Sequence, residues 1–159
     1  MLTFLKKFFG TKSEKDIKAI QPLVDKINEI YPTLKSLSND ELRAKVEALK
    51  QKIQEAIKPE QQKINDIKSR IDSDTEMDVD TKEGLYKEID GVEKEITAKI
   101  EVVLGEILPD AYAILKDTAR RFSENQEVVV TANAFDKDLA KYHSNIEIRG
   151  EQAAWKNKW

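Results

Sequence analysis

Six carboxylates crowd into one short stretch, DSDTEMDVDTKE: Asp72, Asp74, Glu76, Asp78, Asp80 and Glu83. They fall at positions 1, 3, 5, 7, 9 and 12 of a twelve-residue loop, the register in which an EF-hand gathers oxygen ligands around calcium. Val79 stands at the apolar eighth position. The sixth position, where the sharp turn needs glycine, is Met77. That substitution favours a solvated turn, which keeps a helical tip soluble, over a calcium site. His143 is the only histidine, and cysteine is absent. Spacing places no serine or aspartate beside it, so no acid–base or nucleophilic constellation is legible, and a surface or turn position is the simpler reading. Neither G-x-x-x-x-G-K-[ST] nor G-x-G-x-x-G occurs, so no phosphate-cradling loop is encoded in these residues.

A second group could act on surfaces rather than on substrates. The chain begins MLTFLKKFFGTKSEK. At ~100° per residue, Leu2, Phe4, Leu5, Phe8 and Phe9 share an arc of roughly 160°, with Thr3, Lys6 and Lys7 opposite. Gly10 ends the pattern. An apolar face fringed by lysines suits an anionic lipid surface, though it also suits packing on this domain or on a partner protein. So short a segment binds a bilayer weakly and needs a second contact for stable anchoring. Trp155 and Trp159, with Lys156 and Lys158 between them, have the makings of a patch for single-stranded nucleic acid. The net charge of −3 argues against that partner, and Trp155 is expected to pack among strands instead.

These groups have to be carried by a scaffold of 159 residues, about one domain. Charged residues make up 36% and aromatics only 7%, with 5 Gly and 4 Pro, a balance that fits a charge-rich helical protein. The charge is uneven: Lys6, Lys7 and Lys12 give +3 over residues 1–13, leaving −6 for the rest. Lack of cysteine excludes disulfides and thiolate metal sites and fits a reducing cytoplasm. No apolar run approaches the ~18 residues of a membrane span, and Lys6–Lys7 interrupt the first segment too early for a signal peptide.

Ile17, Ile20, Val24, Ile27 and Tyr31 step by three and four, predicting a helix over 15–37, with Pro22 as a kink or break. Ser38 and Glu41 have capping-box spacing and open a helix carrying Leu42, Val46, Leu49, Ile53 and Ile57, then Ile64, Ile67 and Ile71 past Pro59. Leu85, Ile89, Val92, Ile96, Ile100, Val103 and Ile107 form a second near-heptad stripe. Together they predict an antiparallel helical hairpin over 38–108, its apolar seam either paired within the chain or used to dimerise. Pro109 is placed to open a further helix, 109–125, with Ala111, Ile114, Leu115, Thr118 and Phe122 on one face. EVVVTA (127–132) and NIEIRG (145–150) read as two short strands in a tail over 126–159. The expected fold is mainly α, a long antiparallel hairpin with flanking helices and a small two-stranded β element near the C-terminus.

Three stretches together resemble one family, the SecA preprotein-translocase ATPases. The start, LTFLKKFFGTKSEKDIKAI onward to residue 53, is similar to the family's N-terminus, where a short basic amphipath precedes a long helix. SLSNDELRAK is similar to its LSDEELRAK signature, and ILPDAYAILKDTARRF (107–122) to its LLPEAFALVREAARR stretch. The extra residues around 54–100, and the tail, resemble SecA chains of the Bacteroidetes lineage. In the family a YDVQLIGG-like adenine motif and a GEGKT P-loop follow, and neither occurs in these residues.

The resemblance implies an N-terminal fragment of a larger motor, with ATP and Mg bound by the full-length parent and no cofactor or ATPase activity in this fragment. It further implies that Leu2, Phe4, Leu5, Lys6, Lys7, Phe8 and Phe9, within a docking segment over 1–14, touch anionic phospholipid and a SecY-type channel. Preprotein would engage parts outside this stretch. A homodimer is possible, and the implied location is cytoplasmic, peripheral on the inner face of the bacterial plasma membrane. The competing expectation is a free-standing helical adaptor that binds partners through its coiled-coil-like hairpin.

Overall fold

The computed structural model describes residues 12–157. Four helices and three strands follow in the order α1 (Lys12–Leu34), α2 (Asn39–Ser73), α3 (Val79–Glu124), β1 (Glu127–Thr131), α4 (Ala134–Leu139), β2 (Ile146–Arg149) and β3 (Gln152–Lys156). The protein is mainly α, as its composition and periodicity require. Two compact units emerge: Lys45–Leu108, and a second made of residues 12–44 with 109–157.

Within the first unit the near-heptad stripes pair with each other. Ile64, Ile67 and Ile71 of α2 close on Leu85, Ile89 and Val92 of α3, all at most 7% exposed, with Met77 and Ile96 packed against them. Burial of such side chains stabilises by about 1.5–3 kcal/mol each, so this cluster is what holds the two helices together. Cross-helix ion pairs Lys52–Glu106, Lys63–Glu88 and Lys99–Glu60 follow the same antiparallel register. Glu60 occupies a seam position that the stripe would otherwise give to an apolar residue. Its Oε1 accepts from Lys99 at 2.6 Å, while Oε2 is buried without a partner.

Ser38 realises its capping box: its Oγ accepts from the Glu41 N–H, and the Glu41 carboxylate accepts from the Ser38 N–H. Those two bonds hold Glu41 below the ordinary carboxylate range. Pro59 does not interrupt α2.

Pro109 does not begin a helix. It lies inside α3, which runs unbroken for 46 residues. The carbonyl that Pro109 leaves without a donor is that of Gly105, whose backbone yields most readily to the pyrrolidine ring. The buried face there also differs from the expected one. Ala113 and Ile114 are buried, but the next buried positions on this stripe are Asp117 and Arg121, while Leu115 is 62% exposed. On α1, which contains both Pro22 and Pro32, Leu34 is buried, whereas Ile17 and Ile20 are exposed.

The tail holds three strands rather than two. EVVVT and IEIR are strands as expected, but they do not pair with each other. Both pair antiparallel with QAAWK, in the order β1-β3-β2. QAAWK carries two alanines and no β-branched residue, so propensity hides it. Its burial on both faces, Ala153 and Ala154 each at 0% exposure, explains why small residues stand there. Gly150, at φ 60°, makes the two-residue turn from β2 into β3.

Candidate functional site

The docking residues Leu2, Phe4, Leu5, Lys6, Lys7, Phe8 and Phe9 lie outside the described residues. The acidic link is described, and two of its carboxylates, Asp74 and Asp78, serve the backbone. Asp78 caps α3: its Oδ1 accepts from the Thr81 N–H at 2.9 Å and its Oδ2 from the Thr81 hydroxyl. These bonds lower its pKa. Asp74 accepts from the Glu76 N–H, and Glu83 pairs with Lys87 along the helix. Among the described residues no three His, Cys, Asp or Glu side chains come together to hold a metal. His143 sits in the turn before β2, its backbone N–H donating to Leu139 O and its carbonyl accepting from Ile146.

What the structure does assemble is a pair of buried charge clusters that sequence spacing did not reveal. In the first, Asp117 is 0% exposed and accepts from Arg120 and from Arg121 Nε at 2.8 Å. Arg121 spends its remaining donors on Asn39 Oδ1 and on the carbonyls of Leu34 and Leu37. One guanidinium therefore closes the C-terminal end of α1 and the turn after it, and ties both to the start of α2. Burial pushes Asp117 up, but the two arginines together outweigh it and leave the carboxyl below its ordinary value.

In the second cluster, Asp136 is likewise 0% exposed. Its two oxygens accept from Arg43 in bidentate fashion at 2.7 and 2.9 Å. Asp136 also accepts from Trp155 Nε1 at 3.1 Å and from the Asn133 N–H at 2.9 Å. Asn133 returns the bond from its side chain, completing a capping box that starts α4. Burial again pushes the carboxyl up, and Arg43 with the Asn133 N–H more than reverses it. The N-x-x-D spacing of Asn133 and Asp136 was the one signal that could have announced this cluster; Arg43, some ninety residues away, carried none.

A cleft of about 360 Å³ opens beside these groups, lined by Lys35, Asn39, Arg120, Arg121, Asn125 and Val129 among others. Its basic appearance is misleading as chemistry. Arg120 is engaged by the Asp117 and Glu124 carboxylates, Arg121 by Asp117, Asn39 and two carbonyls, and Lys35 lies 5.1 Å from the centre of the Tyr31 ring. Such a site orients helices and strands.

The class defined by this geometry is a charge-clamped helical scaffold with a small sheet, in which buried ion pairs position the elements. Comparison with known proteins supplies the family. The profile of the SecA DEAD-like domain matches residues 5–139. The protein translocase subunit SecA of Parabacteroides distasonis is 46% identical over 156 residues, covering 98% of this chain and 14% of that protein. That of Phocaeicola vulgatus is 46% identical over 157 residues, and that of Amoebophilus asiaticus 45% over 163, with the same 14% of each relative covered. The chain belongs to the SecA family. It spans about one-seventh of the length of the curated relatives it matches. No solved structure matches it significantly. No helix among the described residues is long and apolar enough to cross a membrane.

Proposed function

We propose that this chain is the N-terminal platform of an ATP-driven protein export motor, and that it docks the motor to the membrane and its translocation channel. The observation that carries the reading is identity of about 45% to named translocase subunits across essentially the whole chain, hairpin and tail included. Leu2, Phe4, Leu5, Phe8 and Phe9 supply the apolar face that enters the lipid interface. Lys6 and Lys7 supply the attraction to anionic headgroups and to a SecY-type channel. The buried clusters around Asp117 and Asp136 then hold the platform rigid behind that tether. ATP and Mg belong to other parts of such a motor, as does the preprotein path, and this stretch alone hydrolyses no nucleotide. The working location is the inner face of the plasma membrane, held peripherally.

Flotation with vesicles tests the docking. The chain should float with vesicles rich in phosphatidylglycerol and stay behind with phosphatidylcholine. Each lysine near an anionic surface contributes about 1 kcal/mol, so Lys6→Glu/Lys7→Glu should weaken binding at least tenfold. Equal flotation on both lipids, or a charge-reversed variant that binds as well, removes the electrostatic part of the proposal.

A further inference from the structure

The two edges of the small sheet are finished differently. On the outer side of β1, Val129 O accepts from Asn39 Nδ2 at 2.8 Å, the Thr131 N–H donates to Asp40 Oδ1 at 2.9 Å, and Thr131 O accepts from Arg43 at 3.2 Å. The first turn of α2 therefore stands where a neighbouring strand would, and the chain covers that edge itself.

The edge of β2 has no such cover. The Lys156 N–H donates to Asn145 O at 2.8 Å, which makes 145 and 156 a hydrogen-bonded pair. Alternation along the ladder then directs the backbone groups of Glu147 and Arg149 toward β3 and leaves those of Ile146 and Ile148 facing away. His143 O takes the Ile146 N–H. The Ile148 N–H and the carbonyls of Ile146 and Ile148 have no partner among the described residues. β2 carries no proline, and no bulge breaks its register with β3, so its backbone is fit to accept a further strand. Its two charged side chains are already paired. Arg149 meets Glu127 at 2.7 Å and Glu147 at 2.9 Å, and Glu147 meets Lys156 at 2.7 Å, so two acids and two bases balance on one face of the sheet. Phe135 and Tyr142, in the stretch leading into β2, are 63% and 78% exposed and add apolar surface.

We propose that this edge is completed in cis, by one further strand from another part of the same polypeptide. This completion rests on the reading of the chain as the first part of a larger motor. Two observations single out that occupant. The chain covers 14% of a curated relative, so in such a protein most of the polypeptide able to reach this edge lies outside these residues. The edge also offers backbone groups beside isoleucine, with its charges balanced internally. That surface suits a strand held permanently within one molecule better than a client recruited by charge. The added strand accepts from the Ile148 N–H, donates to the carbonyls of Ile146 and Ile148, and lies outside β2 in the order β1-β3-β2-added strand.

Hydrogen exchange of backbone amides, read in the full-length product of the gene and in the 159-residue chain, tests this. In the 159-residue chain the Ile148 amide should exchange within about tenfold of an unstructured amide, while those of Ala153 and Ala154, bonded within the sheet, stay protected. In the full-length product the Ile148 amide should exchange at least about a hundredfold more slowly. Ile148→Pro removes only an outward N–H and should leave the helical circular dichroism of the 159-residue chain unchanged. In the full-length product the same change should speed exchange at least about tenfold in one segment beyond Trp159, which identifies the added strand. Equal exchange of Ile148 in the two proteins overturns the proposal, as does an Ile148→Pro product in which no distant segment loses protection. Protection that grows with protein concentration assigns the edge to a second copy, and protection that needs an added denatured polypeptide assigns it to a client; either overturns it too. So does a gene product that ends at Trp159. Vesicle flotation reads the first residues rather than this edge. A full-length product that floats but leaves Ile148 unprotected therefore removes this inference alone, and one that protects Ile148 without floating removes the docking alone.

Discussion

Asp117 and Asp136 are the residues on which the platform turns, since each is fully buried, ionised and bound by arginine. Removing one partner of such a pair strands the other, and Asp136→Ala should cost about 3 kcal/mol in urea unfolding followed by tryptophan fluorescence. Arg121→Ala should cost a similar amount, because it leaves Asp117 and the carbonyls of Leu34 and Leu37 short of donors together. Acid acts on the same groups. Both carboxyls titrate below the ordinary 3.8 in the folded chain, so their stabilisation is fully present above about pH 4 and is lost as pH falls through the depressed folded values. The urea midpoint should therefore fall on going from pH 4 to pH 3, and Asp136→Asn should flatten that fall. A wild-type midpoint that rises over this interval contradicts the assignment.

Elements that followed from local pattern were legible in the sequence, and those that depend on distant partners were not. The hairpin is written in Ile64, Ile67, Ile71, Leu85, Ile89 and Val92, because a three-four stripe needs only its mirror stripe to be buried. The capping box at Ser38 and the turn around His143 are likewise local. β3 was missed because alanine is chosen there for closeness on two faces, a property of its neighbours rather than of QAAWK. Pro109 was misread as a helix start because the rule describes isolated termini, whereas here packing on both sides and a glycine four residues back carry the helix through. The arginine clusters left no trace because Arg43 and Asp136 meet only once the tail has folded. At this scale two predictions follow from α3. Gly91 and Gly105 have open space where a Cβ would stand, so Gly91→Ala and Gly105→Ala should each raise stability by about 0.5–1 kcal/mol in thermal unfolding. Gly105→Ala should gain less than Gly91→Ala if the glycine opposite Pro109 is what lets the helix adapt.

Taken whole, the described chain is a helical scaffold braced by buried ion pairs, and we propose that its first residues tether it. Its buried charge is spent on holding helices to one another and to the sheet. The chain belongs to the SecA family, and the proposal that it serves at the front of a protein-exporting motor rests on that membership. Depletion of the gene product in its own host, with pulse-labelling of secreted proteins, tests this most directly. Precursors with uncleaved signal peptides should accumulate as the protein disappears, wild-type protein should clear them, and a Lys6→Glu/Lys7→Glu copy should clear them poorly. Secretion that continues at its normal rate after depletion would contradict the account.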